Sequence, residues 1–265
     1  MRLLAFGLVV LACVAAGQSA PDAPPDPAAQ DRLLEAMERY GQQYVSKLPN
    51  FLCVQVTRQF EAGLRSNRWR KGDILTSRLS FHDGEEQRTL ELVNGKPADP
   101  AKRRWHTPLS TEGEFGILLS RVVDPASDAS FTWSRWATLH GKRLAVFDFT
   151  VDRQHSTLTM RLSDLARGVL AYHGSVYVDP ETGAVWRISD TADSDIPPKL
   201  QMRAIGTEID YAETTIGATA YLLPSTATVL VVTWTGRVRN EMEFRDYRKF
   251  EADSVIRFGA ANERE

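Results

Sequence analysis

The chain has 265 residues, about a quarter of them charged, and a net charge of −2 at pH 7. That balance lacks the basic footprint of a nucleic-acid-binding protein, and two cysteines are too few for a disulfide-stapled scaffold. The length suits one domain with a hydrophobic core of its own.

Arg2 precedes an apolar run from Leu3 to Ala16. The run falls short of the ~20 residues that a membrane-spanning helix needs and matches the apolar centre of a secretory signal. Small residues at Ala15-Ala16-Gly17 predict cleavage before Gln18, so residues 1–17 read as a signal peptide; Gln18-Ser19-Ala20 offers a second site. Val10-Leu11-Ala12-Cys13 supports another reading, a lipobox whose Cys13 is lipidated and tethers the mature chain to a membrane. Leu11 is bulky for that motif and Cys13 falls early, so plain export, most simply to a periplasm, leads. Residues 18–30, rich in Pro, Ala and Asp, read as a linker. A single domain over 31–259 and a tail over 260–265 follow. Once the signal is removed only Cys53 remains, in the strand-like FLCVQV, with no CxxC partner or neighbouring His to activate it. It reads as a buried free thiol.

Asp31 to Leu48 is the clearest helix. Leu33, Leu34, Met37, Tyr40, Tyr44, Val45 and Leu48 form one stripe, Asp31 is an N-cap candidate and Pro49 closes the element. From Phe51 the period changes to alternation. Strands over Phe51–Thr57, Asn67–Lys71, Asp73–Phe81 and Gln87–Val93 make an early meander, with turns at His82-Asp83-Gly84 and Asn94-Gly95. Thr111 and Glu114 match a capping box. It opens a central helix with Phe115, Leu118, Leu119 and Val122 on one face, ended by Asp124-Pro125.

After Pro125 the pattern is almost all strand: 129–138, 142–151, 156–162, 168–178, 184–191, 202–212, 215–223, 226–235, 237–247 and 253–258. Turns fall at His140-Gly141 and at Asp179-Pro180-Glu181-Thr182-Gly183. Trp133 and Trp136, an odd number apart, are expected on opposite faces of their strand. The predicted class is α+β: a large curved antiparallel β-sheet of about ten or eleven strands, an incomplete barrel wrapped over an N-terminal and a central helix.

Chemistry is harder to find. None of the five histidines, His82, His106, His140, His155 and His173, pairs with another at metal-ligand spacing. No GxSxG elbow or phosphate loop occurs. Ser175, two residues after His173, is discounted as a triad member. Asp190, Asp193 and Asp195 lack the pattern of a calcium loop. No catalytic residue, metal ligand or cofactor is expected. An enzyme would have to draw on His140 or His173 with Asp148 or Asp179. The basic groups Arg65, Arg68, Arg70, Lys71 and Lys102-Arg103-Arg104 read first as solvated surface, and secondarily as a contact for anionic lipid headgroups.

The segments HGKRLAVFDF (140–149), VYVDPETGAVWRI (176–188), IGATAYLLPSTATV (216–229) and RNEMEFRDYRKFEADSVIRF (239–258) resemble the sheet of the LolA/LolB-like superfamily of outer-membrane lipoprotein carriers, and the N-terminal domain of RseB-like regulators is similar. The resemblance covers the second half of the chain by motif and the first by element order. It implies a non-enzymatic cell-envelope protein that binds a hydrophobic or lipidated ligand between sheet and helices, with a lipid or acyl chain as the expected partner. Its alternative is an envelope sensor or scaffold that binds a protein. No motif carries the ligand-contacting residues across, so the ligand-binding set is left unassigned.

Overall fold

The computed structural model describes residues 23–99, 115–161 and 166–250. Helix α1 spans Pro27–Lys47. It starts within the segment 18–30 read as linker, because Asp26 rather than Asp31 is the N-cap and accepts from the Ala29 amide at 2.8 Å. Pro27 then sits at the first helical position, where a missing N–H costs no hydrogen bond, so the proline that signals a linker in sequence begins a helix. Helix α2 spans Ile117–Val123 and follows Gly116 at φ +113°, with no side-chain cap. The Thr111–Glu114 capping box lies outside the described residues.

Strands β1 (Phe51–Gly63), β2 (Arg70–His82), β3 (Glu85–Val93) and β4 (Lys96–Pro97) form the first meander. The second comprises β5 (Ser130–Leu139), β6 (Lys142–Val151), β9 (Tyr172–Val178), β10 (Val185–Ala192), β11 (Met202–Ile216), β12 (Thr219–Thr233) and β13 (Gly236–Lys249). Between β6 and β9, a separate small hairpin of β7 (Thr159–Arg161) and β8 (Arg167–Val169) replaces the predicted strand 156–162 and the start of 168–178. The segment 253–258 lies outside the described residues.

The eleven-stranded sheet runs β4-β3-β2-β1-β13-β12-β11-β10-β9-β6-β5, with every pair antiparallel. β1 pairs with β13, so the last strand among the described residues joins the two meanders. β4 and β5 remain as edges, so the barrel is incomplete, as predicted. The β4 edge is blunted by its two-residue length and by Pro97. At Asn94-Gly95 and His140-Gly141 both residues take positive φ, the two-residue turn whose twist suits adjoining strands.

Two long strands replace three predicted ones between 202 and 235. The chain reverses once, at Gly217 (φ +65°), and β12 continues through Pro224. A register shift at Asp210/Tyr211 accommodates the proline, which has no N–H to give the ladder. The Pro224 carbonyl instead accepts from Tyr247 Oη at 2.6 Å.

The two helices lie on the concave face. Met37 and Tyr44 of α1 and Leu118, Leu119 and Val122 of α2 share one core with Phe51, Leu79, Phe147, Val176, Ile188 and Val229 of the sheet, all at most 5% exposed. Where α1 meets α2, a Cβ on Gly41 would lie 2.8 Å from Val123 Cγ2, so only glycine allows this approach. Cys53 is buried, as expected.

The tryptophans depart from prediction. A bulge between Trp133 and Arg135 places Trp133 opposite Phe147 and Trp136 opposite Ala145, both inward-facing positions. The two indoles therefore share a face, 5.1 Å apart and edge to face. One inserted residue, Ser134, shifts the side-chain phase that simple alternation assumes.

Candidate functional site

The N-terminal stripe delivers Tyr40 and Tyr44, one helical turn apart, to the sheet near the end where β10 and β12 begin. Tyr44 Oη donates to the Leu222 carbonyl at 2.9 Å and so ties α1 to β12. Burial holds both phenols well above the usual tyrosine range, and the neighbouring phenols Tyr211, Tyr40 and Tyr247 add to the effect at Tyr44. Both are neutral hydroxyls at any physiological pH.

Beside this tie lies a cleft of about 370 Å³, near the lower end of the range for small-ligand sites. Tyr40, Tyr44, Leu48, Trp186, Tyr221 and Leu222 make its mostly apolar wall; Lys47, Lys142, Asp179 and Glu213 stand at its rim. Lys142 Nζ lies 3.9 Å from Asp179, 4.0 Å from Glu213 and 4.7 Å from the centre of the Trp186 ring. Its charge is thus shared between two carboxylates and an aromatic face. The indole Nε1 of Trp186, itself 5% exposed, makes no hydrogen bond.

The turn at 179–183 forms one side of the cleft. Asp179 Oδ1 accepts from the amides of Glu181 and Thr182, and the Gly183 amide closes the turn on the Asp179 carbonyl at 2.9 Å. Gly183 sits at φ +73°, and a Cβ there would lie 2.5 Å from the Ala36 carbonyl of α1. The DPETG segment is therefore more than a loop: it seats the sheet against the helix.

A second concavity, polar and about 470 Å³, lies on the outer face of β5, β6, β9 and β10. It contains Ser130, Thr132, Asp148, Thr150, His173, Ser175, Ser189 and Thr191. His173 and Ser175, two residues apart, do share a strand face here, so the sequence argument for separating them fails. Ser175 Oγ nevertheless donates to Asp148 at 2.6 Å, while His173 Nε2 faces Asp193 at 3.3 Å. The hydroxyl is bonded to a carboxylate, and the imidazole is turned to a different acid, so no Ser–His–Asp relay is formed.

The other candidates are dispersed. His82 contacts Asp83 at 3.2 Å, His155 contacts Asp128 at 3.7 Å, and His140 lies 6.4 Å from Trp186 between ring centres. Asp179 is at the cleft and Asp148 on the opposite face of the sheet. His106, Lys102-Arg103-Arg104 and Cys13 lie outside the described residues. Among the described residues no three His, Cys, Asp or Glu side chains converge on a metal position, and no helix is long and apolar enough to cross a membrane.

Asp190 is buried on the inner face, where its Oδ1 accepts from the Thr207 amide at 3.1 Å. Burial raises its carboxyl above the usual range, and the Arg121 guanidinium of α2 and the Thr207 bonds act against that rise. Tyr172, pushed up to about 12 by burial, feels the same arginine and the same carboxylate.

Sequence reading missed the cleft because its walls come from α1, β10 and β12, far apart in the chain. The available signal was the Tyr40/Tyr44 pair on a helix otherwise lined with aliphatic residues.

No protein-family model and no curated protein sequence matches the chain. Solved structures similar to it include a domain described as an outer-membrane lipoprotein-sorting protein from Vibrio parahaemolyticus, at 8% identity and TM-score 0.42, covering 83% of this chain and 92% of that one. A LolA superfamily protein from Nitrosomonas europaea matches at 9% identity and TM-score 0.32, covering 83% and 93%. The MucA/MucB complex of Pseudomonas aeruginosa matches at 11% identity and TM-score 0.24, covering 85% and 100%. At these scores the matches carry no weight for function, which rests on the cleft of this chain.

Proposed function

We propose that the chain is a non-enzymatic, exported protein of the cell envelope that binds a hydrophobic or lipidated ligand in the cleft between α1 and the starts of β10 and β12. The observation that carries this reading is the cleft itself, walled by Tyr40, Tyr44, Leu48, Trp186, Tyr221 and Leu222. Aromatic rings give rigid apolar area at small entropic cost. Each buried methylene contributes about 0.8 kcal/mol, so about eight would offer ~6 kcal/mol before ordering costs. The size fits one chain end or one compact apolar group. The remaining core is filled by side chains such as Leu79, Phe147 and Val176, at most 1% exposed.

Native mass spectrometry of the protein purified from an envelope fraction, with lipid extraction in parallel, tests the reading. One co-purifying acyl ligand per chain is expected. A ligand-free chain that co-purifies with a protein at fixed stoichiometry would replace it with the sensor or scaffold reading.

A further inference from the structure

The pole of the barrel opposite the cleft has a different chemistry. Register brings three tips together there: Gly63 at the end of β1 pairs with Gly236 at the start of β13, and Met202 at the start of β11 pairs with Thr233 at the end of β12. The 63–69 segment is pre-formed. Ser66 N donates to the Gly63 carbonyl at 3.0 Å, Arg68 N to Ser66 Oγ at 3.1 Å, and the Arg237 guanidinium to the Ser66 carbonyl.

The side chains at these tips are tryptophan and arginine. Trp69 lies under Arg237 and Arg239, at 5.0 and 4.4 Å from its ring centre. Trp234, at the β12–β13 tip, is 62% exposed, the most exposed large apolar residue described, and Arg203 stands 5.5 Å from its ring. Arg65, Arg68 and Lys71 are exposed and form no ion pair among the described residues. Of the nearby acids, Glu61 pairs with Arg70 at 3.3 Å and Glu241 with Arg239 at 3.0 Å, while Asp73 accepts from the Asn94 side-chain amide at 2.8 Å and keeps its charge. Along the same rim, Asp193 faces His173 and Asp195 faces Arg153. A chain with net charge −2 thus concentrates an excess of positive charge at one pole, with Arg65, Arg68 and Lys71 outnumbering the carboxylates of Asp73 and Asp193, around a projecting indole.

We infer that this pole docks on the anionic headgroup surface of a lipid bilayer, with Trp234 entering the interface and Arg65, Arg68 and Lys71 meeting lipid phosphates. Tryptophan favours the headgroup level of a bilayer, where its ring is desolvated while its N–H stays hydrated. Basic side chains near an anionic membrane each strengthen association about fivefold. Arginine already seated on a ring keeps its remaining donors for phosphate oxygens. The inference does not depend on the cleft, which lies at the other pole.

Sedimentation of the full chain with vesicles of phosphatidylcholine alone, and with about a quarter phosphatidylglycerol, tests it. All variants keep the same N-terminal segment, so its apolar run cancels in the comparison. The expected result is preferential partition onto the anionic vesicles that weakens with salt. Arg65→Gln/Arg68→Gln/Lys71→Gln should lower partition about a hundredfold, and Trp234→Ser about tenfold. Arg65→Lys/Arg68→Lys should retain it, and circular dichroism melts should match, since these side chains are exposed. Equal partition on neutral and anionic vesicles, or variants that partition like the parent, would overturn the proposal. Binding to soluble polyglutamate with the same three-cation dependence, but none to vesicles, would overturn it in favour of an acidic polypeptide partner.

Discussion

Asp190 is a carboxyl placed inside an apolar sheet. Desolvation raises its pKa, so the folded state favours the protonated form more than the unfolded chain does. The sign follows by linkage. The stability it provides is fully present below the ordinary aspartate pKa of ~3.9, and is lost as pH rises through the raised folded value. Asp190→Asn removes this titration. Urea unfolding from pH 4 to pH 7 should show the parent losing stability relative to the variant as pH rises. A constant difference across that window would assign Asp190 a fully ionised pairing with Arg121. Arg187 shows the opposite economy. It meets Asp210 through both Nε and Nη2, the latter at 2.6 Å, and that hydrogen bonding holds its guanidinium charged.

The DPETG turn shows how an element is seated. Gly183 needs positive φ and also lies against the α1 backbone, so Gly183→Ala suffers twice. Left-handed strain of about 1–2 kcal/mol adds to steric overlap of about 1–3 kcal/mol, and the melting temperature should fall by roughly 10 °C. Gly141→Ala, at φ +77° with nothing within 4 Å of the added Cβ, should incur only the strain. Equal losses in the two variants would mean that contact with α1 contributes nothing.

The same scale shows what the sequence makes legible. Alternation finds β1, β6 and β10, and X-Gly pairs find the β2–β3, β3–β4 and β5–β6 hairpins, because one buried face and positive φ leave local marks. Pro224 and Ser134 mislead for a common reason. Each sits at a register shift that involves the partner strand, and a partner strand is invisible to a local window. Pro27 misleads because a proline before a helix and a proline within a linker look alike until the cap is seen.

At the scale of the whole molecule, the described residues form an open eleven-stranded sheet around helices α1 and α2, with an apolar cleft at one pole and an Arg/Trp surface at the other. The class was readable from periodicity; the cleft was not, since Tyr40, Trp186 and Tyr221 converge only once α1 is laid across the sheet. Titration of the full chain with a fluorescent acyl-chain probe, against Ala220→Trp, measures the central claim most directly. Ala220 is exposed at the cleft, so the added indole fills the site without disturbing the core. Saturable one-to-one binding by the parent, weakened at least tenfold in Ala220→Trp with an unchanged melting temperature, is the predicted result. Equal binding by both proteins, or none by the parent, would contradict the cleft as the ligand site.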